Sequence, residues 1–477
     1  MSEPLWTSDE ILAATGGALV GEAFAVTGIS IDTRSLEPGD LFVALGGARV
    51  GGARDGHDFV DQALAAGAAG VLASQPVAGS QIRVHDTLAA LEALGVAARV
   101  RAGKARRGAV TGSVGKTSVT QALAAGLALA GPSHASIKSY NNHIGVPLTL
   151  ARMPRNTERA VFEVGMNHAG EILPLTRMIQ PHAVAITTVG PVHIENFPDG
   201  ETGVARAKAE IFAGLAPGGV AVLNADNRWL SLLQGEAETA GARVARFGSA
   251  EGCEAQLTGF APFTDGREGA LVSARLHGRD LSFPIRQSGQ HWGLNSLATL
   301  LMLEALDVDL ETGLAALADF APLAGRGAER TIQVDGGEVV LIDESYNANP
   351  ISMAAALASL GARPVSGRRI VALTDMLELG PDALRFHADL AAPIAQAKVD
   401  LVFCAGPLMR ALWEALPPTR QGGYATDAAE LAAQVAAGLR PGDAIMIKGS
   451  NGSRAGTIVS ALATAFARDR AAEGATR

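Results

Sequence analysis

Short apolar runs alternate with longer mixed stretches along this chain. In its middle, Arg107–Val110, Ala160–Val164, Ala183–Val189 and Val220–Leu223 are apolar runs of strand length with helical stretches between them. Such alternation predicts a parallel sheet with helices on both faces. The rhythm returns after Gly325. Strands are expected at Arg330–Val334, Glu338–Ile342, Ile370–Thr374, Leu401–Ala405 and Ala444–Ile447, with helices over Ile351–Leu360, Ala383–Ala397 and between the last two strands. Pro350 suits the start of the first of these helices, because a helix needs no N–H there. Ahead of residue 105 the elements are smaller. A helix is expected over Thr7–Thr15, with Thr7 or Ser8 as N-cap and Gly16-Gly17 as its stop. An alternating strand Phe24–Ile31 follows, then a polar turn and a second strand ending at Leu45. A polar loop over 46–58, a helix Phe59–Ala66 and short strands near Val71 and Ile82 complete this part, and the basic run Arg99–Arg107 reads as a connector. The expected fold is α/β in three domains: a small N-terminal α/β domain (1–105), a central parallel-sheet domain (106–322) and a C-terminal Rossmann-like α/β domain (323–477).

The polar residues add chemistry to this scaffold. Ala109-Val-Thr-Gly-Ser-Val-Gly-Lys-Thr-Ser118 reads as a strand end, a glycine turn and a helix start. Gly112 and Gly115 let the backbone of Ser113, Val114 and Ser118 turn its N–H groups inward, where the helix N-terminus adds positive potential for phosphates. Lys116 brings a mobile charge and Thr117 a hydroxyl for Mg²⁺. In an open parallel sheet, functional groups collect at the carboxyl ends of the strands. Glu163 sits near one such end, and a carboxylate in an apolar strand is costly unless it is paired or bound to a metal. His193 follows another strand and reads either as a ligand or as a capping or core histidine. Lys208 reads as a solvated helix residue paired with Glu210, or as part of the phosphate chemistry with Lys116. Arg326 between Gly325 and Gly327 can reach across a cleft. The loop Lys448–Arg454 is rich in donors and reads as an anion site or a surface turn. Ser30, Asp32 and Arg34, taken alone, pass as turn chemistry.

Composition narrows the class. At 477 residues the chain holds several cores. A net charge of −9 and a pI near 5.6 argue against a nucleic-acid or anionic-membrane surface. With only Cys253 and Cys404 there is no disulfide framework, and a reducing cytoplasm fits. The N-terminus lacks the basic start and apolar stretch of a signal peptide, and no apolar run reaches membrane-spanning length.

Taken together, these motifs resemble the Mur ligase family. The resemblance rests on Thr111–Thr117, Tyr140-Asn-Asn-His-Ile-Gly-Val-Pro147, Glu163-Val-Gly-Met-Asn-His-Ala-Gly-Glu171, Val192-His-Ile-Glu195, Ala207–Glu210 and Gly293-Leu-Asn295. It continues through Gly325-Arg-Gly327, Asp343-Glu-Ser-Tyr-Asn-Ala-Asn-Pro350, Asp375-Met-Leu-Glu-Leu-Gly380 and Lys448-Gly-Ser450, with Ser30–Arg34 and Asp55–Phe59 at the N-terminal end. The Tyr140–Pro147 and Asp343–Pro350 runs favour the member that adds D-Ala-D-Ala to UDP-MurNAc-tripeptide. That member implies a first domain for the UDP-sugar, a second for ATP and a third for the dipeptide. It implies Ser30, Asp32 and Arg34 as nucleotide-sugar contacts, and Lys116 on phosphates. Thr117 and Glu163 would hold one Mg²⁺, and His193 with a carbamylated Lys208 a second. Asn295 and Asn349 would meet adenine, Asp343 the ribose and Arg326 the γ-phosphate. Asn142, Asn167 and His168 are implied as peptide contacts, with Lys448 and Ser450 in the dipeptide loop. Asn451-Gly452 ahead of Ser453-Arg454 departs from the family's Lys-Gly-Ser-Arg loop and puts that loop's pairing with the dipeptide in question. His291 is assigned no role. The tripeptide carboxylate would attack the γ-phosphate, and the amine of the dipeptide would then attack the acyl phosphate. The remaining expectations are a monomer without nucleic acid or membrane insertion. The alternatives are a sibling ligase acting on another amino acid, the folate type included, and an ATP-driven switch that is not a ligase.

Overall fold

A computed structural model describes residues 3–47, 54–137, 139–264 and 267–474, with side chains through residue 466. Residues 48–53 of the expected polar loop lie outside the described residues. The fold is α/β, built on three main sheets that follow one another along the chain.

The first sheet has five short strands in the order Ala18–Val20, Gln81–Arg83, Gly70–Ala73, Asp40–Val43 and Gly28–Ser30. All neighbours are parallel except the first pair. The helix Ser8–Thr15 starts as expected, with Thr7 accepting from the Glu10 N–H and Glu10 reaching back to Thr7. Gly16 ends it in the left-handed region at φ 66°. The expected strand Phe24–Ile31 is two strands. Ala25–Val26 pairs with Trp6–Thr7, and Gly28–Ser30 joins the five-stranded sheet beside Asp40–Val43. Two different partners on either side of Thr27 break the run. The expected helix Phe59–Ala66 begins at Val60, after a 3-10 turn over Gly56–Phe59.

The central sheet has nine strands. Seven run parallel, of which the first six are Ser133–Ala135, Arg159–Glu163, Arg106–Thr111, Ala183–Ile186, Val220–Asn224 and Arg243–Gly248, in that spatial order. Ala255–Pro262 continues in parallel, and the antiparallel hairpin Ala270–Leu276 and Arg279–Ile285 closes the edge. The hairpin alternates buried and open residues, a pattern that the apolar-run reading passes over. One apolar layer, with Leu123, Leu297 and Leu301, covers one face; another, with Phe162, Ile172 and Ile211, covers the other. The strand expected at Ala183–Val189 ends at Ile186, so Thr187–Val189 leave the sheet at its functional edge.

Arg99–Arg107 is no free connector. Arg99 and Arg101 end the helix Thr87–Arg101, and Arg106 and Arg107 open the first central strand. Arg101 donates to the Leu5 and Met153 carbonyls, and Arg107 to those of Ala105, Ile179 and Gln180. Burial brings both guanidinium groups down to about 10.

The third sheet runs Ala328–Val334, Gly337–Glu344, Ala444–Lys448, Arg369–Thr374, Leu401–Ala405 and Gln421–Ala425, antiparallel only at the first pair. The expected helix Ala383–Ala397 splits into Ala383–Ala388 and Ala391–Gln396. Pro393 has no N–H to donate back to Asp389, so the ladder is interrupted there. No described helix is long and apolar enough to cross a membrane.

Ala444–Lys448 is the strand that carries Lys448 to the edge, and Asp443 anchors its start. The buried Asp443 carboxylate accepts from the Arg368 N–H and guanidinium and from the Arg440 N–H. Burial acts to raise this carboxyl, but those hydrogen bonds outweigh it and hold its pKa below the ordinary value. A depressed carboxyl stabilises the fold above its unfolded pKa of about 3.9 and loses that stabilisation as pH falls through the folded value. Asp443→Asn should therefore cost about 1–3 kcal/mol at pH 7 in urea unfolding. The difference from the parent chain should shrink below about pH 4.

Candidate active site

The carboxyl ends of the central strands and the loops after the third sheet's strands face one cavity of about 330 Å³. That size suits a nucleotide-like ligand. Its floor is the loop between the strand Arg106–Thr111 and the helix Lys116–Ala130. Gly112 (φ 150°) and Gly115 (φ 90°) hold the bend. A Cβ on Gly112 would collide with Thr187 Oγ1, so only glycine permits this approach. Thr187 in turn donates to the Val114 carbonyl at 2.5 Å, and Ser113 Oγ donates to the Gly190 carbonyl at 3.2 Å. The segment that follows one neighbouring strand, Ala183–Ile186, thus pins the loop at two points. Ser113, Val114, Gly115, Lys116, Thr117 and Ser118 all line the cavity.

The charges around this loop are buried and incompletely paired. Lys116 folds back, its Nζ donating to the Gly112 carbonyl at 2.8 Å. Burial lowers its pKa, Arg326 adds to the fall, and Glu163 opposes it. Lys208, on the helix Glu201–Ala209, is only 3% exposed. Its pKa lies well below the ordinary value, through burial and the nearby Lys116. Among the described residues it has no ion pair or hydrogen-bond partner, Glu210 included; Glu210 instead accepts from the Gly170 and Leu173 N–H groups. His193 is lowered by burial, with Lys116 and Lys208 reinforcing and Glu378 opposing. It stands in the left-handed region at φ 57°, its Nδ1 2.6 Å from Glu378 Oε2 but outside hydrogen-bonding geometry.

Glu163 ends the strand Arg159–Glu163 and is 1% exposed. Oε1 accepts from Asn141 Nδ2 at 2.7 Å, while Oε2 is buried without a partner. A bare buried carboxylate oxygen in the same cavity as the Thr117 hydroxyl fits a Mg²⁺ that takes most of its other ligands from phosphate and water. Among the described residues, no group of three or more His, Cys, Asp and Glu could hold a metal.

The far wall comes from the third sheet. Arg326, Asn349 and Lys448 line the cavity, with Asn295 from the central region. Asn349 caps the helix Pro350–Ala362 through the Ser352 N–H. Lys448 Nζ is held by Glu344 Oε2 at 3.2 Å and the Asn347 carbonyl at 3.0 Å. Asp343 is buried just behind: Oδ2 accepts from the Gly325 N–H, and Oδ1 from the Ser345 N–H and hydroxyl. Ser450 is also behind the wall, accepting from the Leu377 N–H and donating to the Ala348 carbonyl. Asn451–Ser453 forms a 3-10 turn tied down by Ser453 to Thr374 and to the Ser450 carbonyl, which leaves Asn451 and Arg454 exposed.

The remaining expected residues stand away from the cavity. Ser30 is buried and donates to the Asp32 carbonyl, and Asp32 pairs with the exposed Arg34. Asn142 caps the helix Gly145–Ala151. The Asn167 N–H and His168 Nδ1 both meet Glu171 on the surface. Sequence reasoning passed over Asn141, Ser139, Thr187, Tyr346 and His291, all of which line the cavity. Asn141 and Tyr346 lay inside quoted motifs; Thr187 carried no signal beyond following a strand.

Three family models match the chain in order: the Mur ligase family, catalytic domain, over residues 25–102; the Mur ligase middle domain over 110–303; and the Mur ligase, glutamate ligase domain, over 329–451. A UDP-N-acetylmuramoyl-tripeptide--D-alanyl-D-alanine ligase of Escherichia coli is 35% identical over 410 residues, which are 85% of this chain and 87% of that one. The chain belongs to the Mur ligase family. A Mur ligase of the same name from Bacillus subtilis is 34% identical over 92% of this chain and 94% of its own. Among solved structures, MurF from Acinetobacter baumannii superposes with a TM-score of 0.83 at 28% identity, over 96% of this chain and 99% of that one. MurF ligase from Thermotoga maritima, solved in complex with ADP, shares the fold with a TM-score of 0.75 at 23% identity, over 93% and 98% of the two chains.

If the pinned loop of this Mur ligase is what shapes the cavity floor, Gly112→Ala should weaken ADP binding about tenfold or more in titration calorimetry. Adding Thr187→Ala, which removes the colliding hydroxyl, should restore part of the affinity. Unchanged binding in the single variant would show that the loop is not held as described.

Proposed function

We propose that this chain is the ligase that joins D-alanyl-D-alanine to UDP-N-acetylmuramoyl-tripeptide at the expense of ATP, releasing ADP and phosphate. The observation that carries the reading is agreement across nearly the whole chain with relatives of that name at 30–35% identity. The cavity gives it a place. We divide the chain into a UDP-sugar domain (1–105), an ATP domain (106–322) and a dipeptide domain (323–477), and assign it to the cytoplasm as a monomer.

ATP would lay its phosphates on the N–H groups of residues 112–118, with Lys116 drawn from the Gly112 carbonyl onto the outer phosphates. Asn295 and Asn349 stand on the cavity wall for adenine, and Asp343, buried behind that wall, is retained for ribose with one acceptor position left. Thr117 and Glu163 would hold Mg²⁺, which neutralises the transferring phosphoryl group when bound. His193, neutral through burial, can serve as a nitrogen ligand for a second ion. A free amine is the state that adds CO₂, and burial and Lys116 shift Lys208 toward it by lowering its pKa. As a carbamate it would offset the charge of Lys116. We retain Ser30, Asp32 and Arg34 for the nucleotide-sugar, Asn142, Asn167 and His168 for the peptide, and Lys448 and Ser450 for the dipeptide side.

The first step needs no general base, because the tripeptide carboxylate is already ionised. It needs in-line positioning and cations, and Lys116 and Arg326 supply charge from opposite walls. The dipeptide amine then attacks the acyl carbon, and phosphate leaves from a tetrahedral oxyanion.

Phosphate release from ATP should require both UDP-MurNAc-tripeptide and D-Ala-D-Ala, with a pentapeptide product by mass. Release supported by a different amine would move the chain to a sibling ligase, and release indifferent to any acceptor would support an ATP switch. Lys116→Ala should abolish turnover, by a factor of at least about 10³, while the protein stays folded. The parent chain in ¹³C-bicarbonate should show a carbamate carbon resonance that disappears in Lys208→Ala.

A further inference from the structure

Tyr346 belongs to no assignment above, yet it touches every part of the cavity that has to act together. It follows the strand Gly337–Glu344, in the loop that Asp343 and Asn349 fix at either end. Its N–H donates to the Gly325 carbonyl at 3.1 Å. A Cβ at Gly325, itself at φ 72°, would come within 2.9 Å of Tyr346 Cβ, so the two backbones are in direct contact. Next to Gly325, the Arg326 guanidinium lies over the Tyr346 ring, 4.2 Å from its centroid. At the other end of the ring, the hydroxyl donates to Ser139 Oγ at 2.9 Å, across 207 residues of sequence. Ser139 Oγ is in turn 3.2 Å from Thr117 Oγ1. All four side chains line the cavity.

We propose that Tyr346 is a positioning residue that couples the seating of the third domain to the phosphate site: its ring sets Arg326, and its hydroxyl, through Ser139, sets the orientation of the Thr117 hydroxyl. The proposal rests on the nucleotide-binding part of the function given above. The donor direction matters. Because Tyr346 donates to Ser139, Ser139 keeps a second acceptor position for the Thr117 proton. A Thr117 hydroxyl that donates to Ser139 leaves its own lone pairs for the cavity, as a metal-holding hydroxyl requires. If the third domain withdraws, Ser139 loses its donor and Arg326 leaves the cavity with its stacking partner. The site is then complete only when the domains meet. This ties phosphate activation to the presence of the domain that brings the dipeptide.

The test separates ring from hydroxyl and binding from turnover. Tyr346→Phe keeps the stack and removes the donor; Tyr346→Leu removes both. ADP affinity is measured by calorimetry with and without Mg²⁺, alongside kcat and the Mg²⁺ concentration for half-maximal rate. Tyr346→Phe should weaken ADP about fivefold to tenfold with Mg²⁺ present, leave metal-free ADP binding unchanged and raise the Mg²⁺ requirement. Ser139→Ala should do the same, and the double variant should be no worse than either single one. Tyr346→Leu should also lower kcat further, by about tenfold, through Arg326. Equal losses with and without Mg²⁺, additive losses in the double variant, or no loss in Tyr346→Phe would each overturn the proposal. A parent chain that binds no ADP would overturn the nucleotide reading itself, and one that binds ADP but ignores D-Ala-D-Ala would leave Tyr346's role standing while the acceptor assignment fell.

Discussion

Positive charge withdrawn from water is the constraint on which this site depends: Lys208 is buried, and Lys116 lines the cavity. Lys116 lowers the proton affinity of Lys208, Lys208 has no anionic partner among the described residues, and Glu163, which pulls the other way on Lys116, has a single bare oxygen. Burying like charges together is costly, and apolar packing cannot relieve it. Polyanionic phosphate on the loop would offset this charge.

Rigidity comes from topology. Parallel strands bring all their carboxyl ends to one edge, so Thr111, Glu163, Ile186 and Asn224 finish side by side although they are far apart in sequence. Both faces of the sheet are sealed by apolar layers. The third sheet repeats the device and aims its own loops at the same cavity, which is why the walls come from residues more than 200 positions apart. Arginines that look like a solvated connector in sequence instead staple strands and helix ends by their guanidinium groups, tightening the joint between the first two sheets.

Much of this was legible because each feature had a local cause. The phosphate loop needs glycines at fixed places, capping needs particular side chains, and buried parallel strands need continuous apolar runs. The elements that were misjudged had non-local causes. Phe24–Ile31 alternates like one strand, but Trp6 claims one half and Asp40 the other. The outer hairpin 270–285 was passed over because half-exposed edge strands show a weaker pattern than buried ones. Asn142 drew attention for peptide binding while its neighbour Asn141 holds Glu163; adjacent residues point in opposite directions, and only the fold says which way.

The sequence by itself determined the fold class, the order of the sheets, the phosphate loop and the membership of the family, since periodicity, glycine placement and contiguous motifs act over a few residues. Tertiary structure alone decided which groups share the cavity and in what state. It left Glu163 with one oxygen free, lowered the proton affinity of Lys208 by burial, tied up Ser450 behind the wall and laid Tyr346 between Arg326 and Ser139. Those outcomes depend on desolvation and on distances between segments remote in the chain, and no local pattern encodes either.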